Sequence, residues 1–459
     1  MASVRHRTPT LALFLCLVWL AAAPARAQDT HYWNLQYGPV ATLLGGVVIG
    51  STRDLSATFY NPGGLILSDD PSFLLSTESF RIENVALQPT SGRLFDITTQ
   101  SIGAAPSLIA GNLPKGWGGR NGRLAWSYLT RQRFDIRLSR RLEDQLTGTP
   151  YAGSAEALFD QRLSEDWGGL TYSHALGKSV GLGITLYGAY RGQQTRSETS
   201  LQVTSASGAG VTGITVDDYN YGHARMLAKL GVAKDWQRWQ AGVSVTTPSI
   251  SVFGSGQAGF TRSVGGLDAT GDGRPDTVVA ASSQDDLHAD YKSSWAVGAG
   301  AGWRRGQTRV HFSAEWYAPL DSFAVMDPSP FASTPSGPGY DPLLVQRLEG
   351  VLNAGVGAEH EFSRDVTVYG AFHTDFSAAP DDRELSVSAA DWNLLHVTGG
   401  AAFRVAQMRF TLGVGWAFGS KTDTLYTPLP VALPVVSLAR DVKARYSRLT
   451  FLLGFVFGS

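Results

Sequence analysis

The sequence of 459 residues holds a single cysteine, Cys16, inside an apolar stretch near its start. No later stretch reaches the roughly 18 consecutive apolar residues of a transmembrane helix. Charge is sparse and balanced. Only 17% of residues are charged and the formal net charge is -1, which argues against a nucleic-acid partner. The nine histidines are scattered, with no pair at i, i+4, and there is no G-x-S-x-G elbow. Each of these shortages removes a common way of building a function.

The cysteine explains itself first. Arg5, His6 and Arg7 precede the apolar run Leu11 to Ala23, and Ala25-Arg26-Ala27 supplies the small residues of a cleavage site before Gln28. Residues 1–27 therefore read as a secretory signal peptide. Cleavage removes Cys16, and the bulky Leu15 before it argues against a lipoprotein signal. The mature chain then has no disulfide and no thiolate metal site. Export without disulfides suits the periplasm or outer membrane of a Gram-negative cell.

What is present is period-two alternation, from Pro71 to the end. In the run Phe410 to Phe418 the even positions are large and apolar, while the odd ones are threonine, glycine or alanine. Leu449 to Phe457, Val180 to Tyr187, Trp295 to Trp303 and Val310 to Trp316 repeat the pattern. Alternate residues of a strand face opposite sides, so one face of this sheet is apolar with aromatic ends and the other is small or polar. A soluble sandwich would put many charges on its outer face. A transmembrane barrel puts the apolar face into lipid and flanks it with aromatics. The predicted fold is all-β, a transmembrane antiparallel barrel of about 14 strands. The expected strands lie near 72–86, 100–112, 122–139, 158–176, 179–200, 214–235, 238–261, 278–303, 308–324, 351–363, 366–377, 393–405, 408–420 and 446–457. Lys234 to Arg238 and Ala406-Gln407 are short enough for periplasmic turns, and 262–277, 325–348 and 421–444 are long enough for extracellular loops. A barrel this wide cannot fill its bore with wall side chains alone.

One stretch breaks the pattern. Ser56-Ala57-Thr58-Phe59-Tyr60-Asn61-Pro62-Gly63-Gly64-Leu65 follows an apolar run broken by Gly45, Gly46 and Gly50, and reads as a tight loop. With the signal, the preceding Arg53-Asp54-Leu55 and the barrel, it resembles the FadL/TodX family of outer-membrane transporters for long-chain fatty acids and other hydrophobic compounds. Asn61 and Pro62 match that family's Asn-Pro-Ala motif, and Gly63 stands where the family has alanine. The resemblance is sharp over about residues 38–66 and architectural beyond. It implies that residues 28–70 form an N-terminal hatch inside a barrel of residues 71–459. It also implies a monomeric uptake channel whose partners are a hydrophobic small molecule and outer-membrane lipid. The ligand enters a lumen pocket and leaves laterally after the hatch rearranges beside an inward kink in an early strand. No enzyme activity and no cofactor are implied.

The residues weighed for ligand or hatch roles are Asn61, Pro62, Gly63, Arg53, Phe59, Leu65, Leu43 and Val47. For each, a purely structural part in packing the hatch is the competing reading. For Arg53 that competitor is an ion pair with Asp54 or a lumen acid. Lys229, Glu315, Glu359 and Arg404 fall on the predicted lumen face and are expected to join lumen salt-bridge networks. Asp268, Thr270, Asp272 and Asp276, with Gly273 at the turn, have the spacing of a calcium loop, yet Val279 stands where its bidentate acid belongs. Structural Ca2+ in that extracellular loop is the one metal this sequence suggests. Two alternatives stay open: a phospholipase-like barrel with strand-borne Ser and His, and a general porin or structural barrel. His311 and His396 alternate onto the polar face, against the first.

Overall fold

The computed structural model describes residues 30–68, 72–89, 105–145, 151–205, 210–267, 274–332, 339–380, 392–426 and 439–458. The expected signal peptide, residues 1–27, and Asp268, Thr270 and Asp272 lie outside them. From Phe73 on the chain is almost entirely strand: β1 (Phe73–Pro89), β2 (Ala105–Asn112), β3 (Gly122–Gln145), β4 (Tyr151–Leu176), β5 (Val180–Ser205), β6 (Gly210–Trp236), β7 (Trp239–Thr246), β8 (Ile250–Leu267), β9 (Asp276–His288), β10 (Ala296–Arg305), β11 (Thr308–Tyr317), β12 (Leu320–Met326), β13 (Phe331–Ala332), β14 (Gly339–Tyr340), β15 (Leu344–Leu348), β16 (Val351–Glu361), β17 (Val366–Asp375), β18 (Leu394–Val405), β19 (Met408–Tyr426) and β20 (Ala439–Phe457). Fourteen of them close a ring. β1 pairs with β20, Phe73 opposite Phe457, and β5 pairs with β6. Every pairing is antiparallel, as the alternation predicted.

The apolar face lies outside. Phe410, Leu412, Val414 and Trp416 are exposed on β19, and Phe451, Leu453 and Phe457 on β20. In a soluble protein such a surface would be an aggregation hazard; in hydrocarbon it is the ordinary exterior of a barrel. Two-residue turns follow β6, β10 and β18 at the end near Phe457, with Gln237 and Ala406 at positive φ.

Three predicted strands are broken. The span 238–261 is β7 and β8, interrupted at Thr247-Pro248-Ser249, and both pieces pair with β6. Pro248 has no amide to give the ladder, so the strand stops and restarts there. The span 278–303 is β9 and β10. Between them, residues 289–295 leave the wall, and Ala289, Tyr291 and Ser294 are buried. The predicted strand 308–324 also divides, because β12 departs to pair with β15. The expected loop 325–348 thus carries strands of its own. With the upper parts of β6 and β8 they enclose a second apolar cluster around Tyr219, Phe260 and Met326.

The segment 30–68 lies against the inward face of the ring. It contains a short helix Pro39–Leu43, a helical turn Ala57–Tyr60 and a 3₁₀ helix Pro62–Leu67. The expected plain loop is therefore two helical turns joined at Asn61. Asn61 is extended and caps the second turn by accepting from the Gly63 amide at 3.1 Å, with Pro62 at the first helical position. An Asn cap followed by proline is a helix-start signal, outweighed in the sequence reading by the two glycines.

Candidate functional site

The inward glycines of the wall are the imprint of the segment. A methyl group added at Gly231 would sit 2.2 Å from Asn61 Oδ1, at Gly183 2.3 Å from the Pro62 carbonyl, and at Gly300 2.6 Å from the Gly50 amide. At Gly183 and Gly300 the contact is backbone against backbone, at Gly231 it is backbone against the Asn61 side chain, and only glycine permits it. The reverse holds for Gly63, where an added methyl would lie 2.6 Å from the Gly181 carbonyl and 2.7 Å from that of Gly231. This accounts for glycine where the related motif has alanine.

Hydrogen bonds tie the segment around the ring. Asn61 Nδ2 donates to Ile49 O at 2.9 Å and Val232 O at 3.0 Å. Thr185 and Tyr187 both donate to Thr58 O. Thr398 donates to Leu43 O, and Arg448 to Asn34. The Tyr60 hydroxyl receives the Tyr37 amide and donates to Gln36 Oε1, and burial pushes its phenol well above the ordinary range.

The sequence-selected residues part company here. Leu43, Val47 and Leu65 are fully buried in the joint core of segment and wall, Leu43 over Gly400 and Gly413 and Val47 over Gly355. Arg53 pairs with Asp235 at 3.0 Å at the turn-closed end. Asp54 instead accepts from Ser56. Phe59 alone of the eight reaches the cavity above the segment. Glu315 pairs with Lys229 at 3.4 Å and Glu359 with Arg309, while Arg404 is exposed at the rim of a polar cavity of about 250 Å3 below the segment. Asp276 opens β9. Among the described residues no group of metal-ligating side chains forms a site.

The cavity above the segment, about 60 Å3, is walled by Tyr32, Phe59, Trp167, Tyr291 and Tyr317 and by the charges Arg131, Glu165, Arg225, Lys229 and Glu315. Tyr32 stacks on Tyr317 at 3.8 Å, and the Lys229 ammonium stands 4.7 Å over Phe59. Glu165 is shared between Arg191 at 3.0 Å and Arg225 at 2.6 Å, and also accepts from Trp167. Glu315 accepts from Trp33 and Tyr317. One carboxylate faces two guanidiniums, so the cluster is cationic. Arg225, 2% exposed, keeps Nε and Nη1 without a hydrogen-bond partner, and the hydroxyls of Ser293 and Ser294 beside it are likewise unmatched. Buried donors rarely go unpaired. Tyr291, from the inward-dipping break, lies 3.9 Å from the Arg191 guanidinium. Sequence reading missed this group because its members come from β4, β5, β6 and the break. The one local signal was the loss of alternation across Asp290 to Ser294.

The wall has a soft place beside the segment. β3 bulges at Arg131, where its register with β4 shifts between Thr130 and Gln132, and it pairs with β2 over Ala125 to Leu129. Side-chain hydrogen bonds gather there: Tyr37 donates to Arg131 O at 3.2 Å, Gln132 to His31 O and Arg81 to Arg133 O.

A Ser–His contact does occur, between Ser51 Oγ and His311 Nδ1 at 2.7 Å. It faces the polar cavity below the segment. Glu359 is 3.9 Å from His311 Nε2, beyond hydrogen-bonding distance, and is held by Arg309, so no oriented triad forms.

The fold is shared with solved channel structures. The Pseudomonas putida toluene transporter TodX is 12% identical, with 94% of this chain and 100% of that chain covered and a TM-score of 0.56. A Pseudomonas aeruginosa FadL homologue is 9% identical, with 94% and 100% covered and a TM-score of 0.58. The CymD monoaromatic hydrocarbon channel is 11% identical, with 93% and 99% covered and a TM-score of 0.54. No protein-family model and no curated sequence matches the chain. At these identities the likeness is one of fold, the fold that the Asn61-Pro62 motif implied.

Proposed function

We propose that this protein is an outer-membrane uptake channel for hydrophobic small molecules, and that its lumen pocket favours those carrying an acidic head group. The observation that carries the head-group reading is Arg225, buried with two unmatched donors in an aromatic-walled cavity. A carboxylate accepts two parallel N–H bonds from a guanidinium, and the alkyl or aryl remainder gains about 0.8 kcal/mol per buried CH₂. Solved FadL/TodX-type channels with this fold, among them a toluene transporter, support the uptake reading.

The cavity of about 60 Å3 is far below the roughly 300 Å3 of a small-ligand site. A ligand must therefore displace what narrows it, and Tyr32 and Phe59 belong to the N-terminal segment. Binding and movement of that segment as a hatch are thus coupled. The β3 bulge at Arg131 is the proposed lateral exit, because the ladder shifts register there and the Tyr37 hydroxyl of the hatch donates to the Arg131 carbonyl. Breaking the ladder there exposes less unsatisfied backbone than elsewhere in the wall. No chemical step is needed, and the segment filling the bore disfavours an open porin.

The test is equilibrium binding of a long-chain fatty acid and of an equally long alkane by the purified protein and its Arg225→Gln variant. Tighter binding of the acid, by about tenfold, that collapses to the alkane level in Arg225→Gln is expected. Equal binding of both ligands by the unaltered protein would remove the head-group reading. Binding of neither would remove the uptake reading.

A further inference from the structure

On the outer face, far from the turn-closed end, a groove of about 650 Å3 opens across β18, β19, β20 and β1. The outward residues of β20 run Phe457, Leu453 and Phe451 and then turn polar at Ser447, Arg445 and Lys443. β19 changes in step: Trp416 and Phe418 give way to Ser420, which pairs with Arg445 in the ladder. The groove therefore straddles the line where the apolar band ends. Phe376, Leu395 and Phe418 line its greasy side, and Lys443 and Arg445 stand exposed at its rim. Neither cation has a carboxylate partner among the described residues.

We propose that this groove holds an acyl chain of a phosphorylated lipid of the outer leaflet, with Lys443 and Arg445 on its phosphate. Charge complementarity selects the occupant. The two cations lie at headgroup level, where an anionic lipid places its phosphate and a zwitterionic one offers a weaker partner. Exposed cations alone hold free phosphate poorly, because solvent screens them. The adjoining apolar wall supplies the remainder, since buried acyl carbons add affinity that inorganic phosphate cannot gain. The inference needs the barrel to sit in an outer membrane but does not depend on uptake.

The experiment is native mass spectrometry of the full-length mature protein in detergent with bisphosphorylated lipid A, phosphatidylethanolamine or inorganic phosphate. One retained lipid A, favoured about tenfold over phosphatidylethanolamine, is expected. Lys443→Gln/Arg445→Gln should bring lipid A down to the phosphatidylethanolamine level, and Lys443→Arg should retain it. Ser447→Trp, which fills the groove without altering charge, should lower both lipids. Heat-shifted gel mobility reports a closed barrel in each variant; should the double variant lack it, the two single substitutions carry the comparison. Equal retention by the protein and its charge variants, no preference over phosphatidylethanolamine, or inorganic phosphate held as tightly as lipid A would overturn the proposal. Loss of ligand uptake with lipid retention intact would contradict only the transport reading.

Discussion

Asn61 in the N-terminal segment donates its side-chain amide to the backbone carbonyl of Val232 in the barrel wall, at 3.0 Å. The same amide holds Ile49 O, and its oxygen receives the Gly63 amide, so one buried side chain joins wall and both halves of the segment. Removing it takes a hydrogen bond from each of two carbonyls and from an amide. Asn61→Ala should cost about 1–3 kcal/mol in the equilibrium between seated and released segment. Faster backbone hydrogen exchange over residues 49–64, with the barrel strands unchanged, would show it. Unchanged exchange there would deny Asn61 this role.

The neighbouring glycines behave oppositely. Gly63→Ala meets carbonyl oxygens of two wall strands, whereas a methyl at Gly64 finds nothing nearer than 3.7 Å. Gly63→Ala should therefore destabilise the seated segment by about 1–3 kcal/mol, and Gly64→Ala should stay within about 0.5 kcal/mol of the parent. Thermal melts of the pair decide this, and similar melts for both would contradict the fit described between Gly63 and the wall.

Arg53 and Asp235 are each about one-third exposed, at 34% and 28%. A pair so placed is screened by water and salt, so a double-mutant cycle with Arg53→Ala and Asp235→Ala should give a coupling of about 1 kcal/mol or less, falling as salt rises. Coupling of several kcal/mol would mark the pair as a principal latch.

In protein produced without residues 1–27, which hold the single cysteine Cys16, an introduced pair is free to form a single disulfide. A methyl at Gly302 would stand 2.9 Å from Ser51 Cβ, within reach of a bridge after small adjustment. Oxidised Ser51→Cys/Gly302→Cys should block uptake and regain it on reduction, while each single substitution transports under both conditions. Uptake by the oxidised double variant would show that this part of the segment need not move.

The sequence made the barrel legible because lipid imposes alternation on every wall strand, and Phe410 to Phe418 obeys it without exception. It also singled out the stretch around Asn61-Pro62 as a break in the strand pattern, and that stretch lies against the inward face of the ring. The inward small residues were visible too, but not their purpose, since Gly181, Gly183 and Gly231 matter only through the Pro62-Gly63 backbone lying against them. The cationic pocket was hidden for a similar reason: Glu165 and Arg225 stand on different strands, and only the barrel register brings them to 2.6 Å. The inward dip at Tyr291 was masked by apolar runs on either side that read as one strand.

The central claim is that residues 30–68 close the bore. It is tested most directly by planar-bilayer conductance of the mature protein beside a variant lacking residues 38–66. The parent should be nearly silent and the deletion should give large, steady ion-conducting steps from a barrel that remains heat-modifiable. Equal conductance from the two, whether silent or open, would contradict the account.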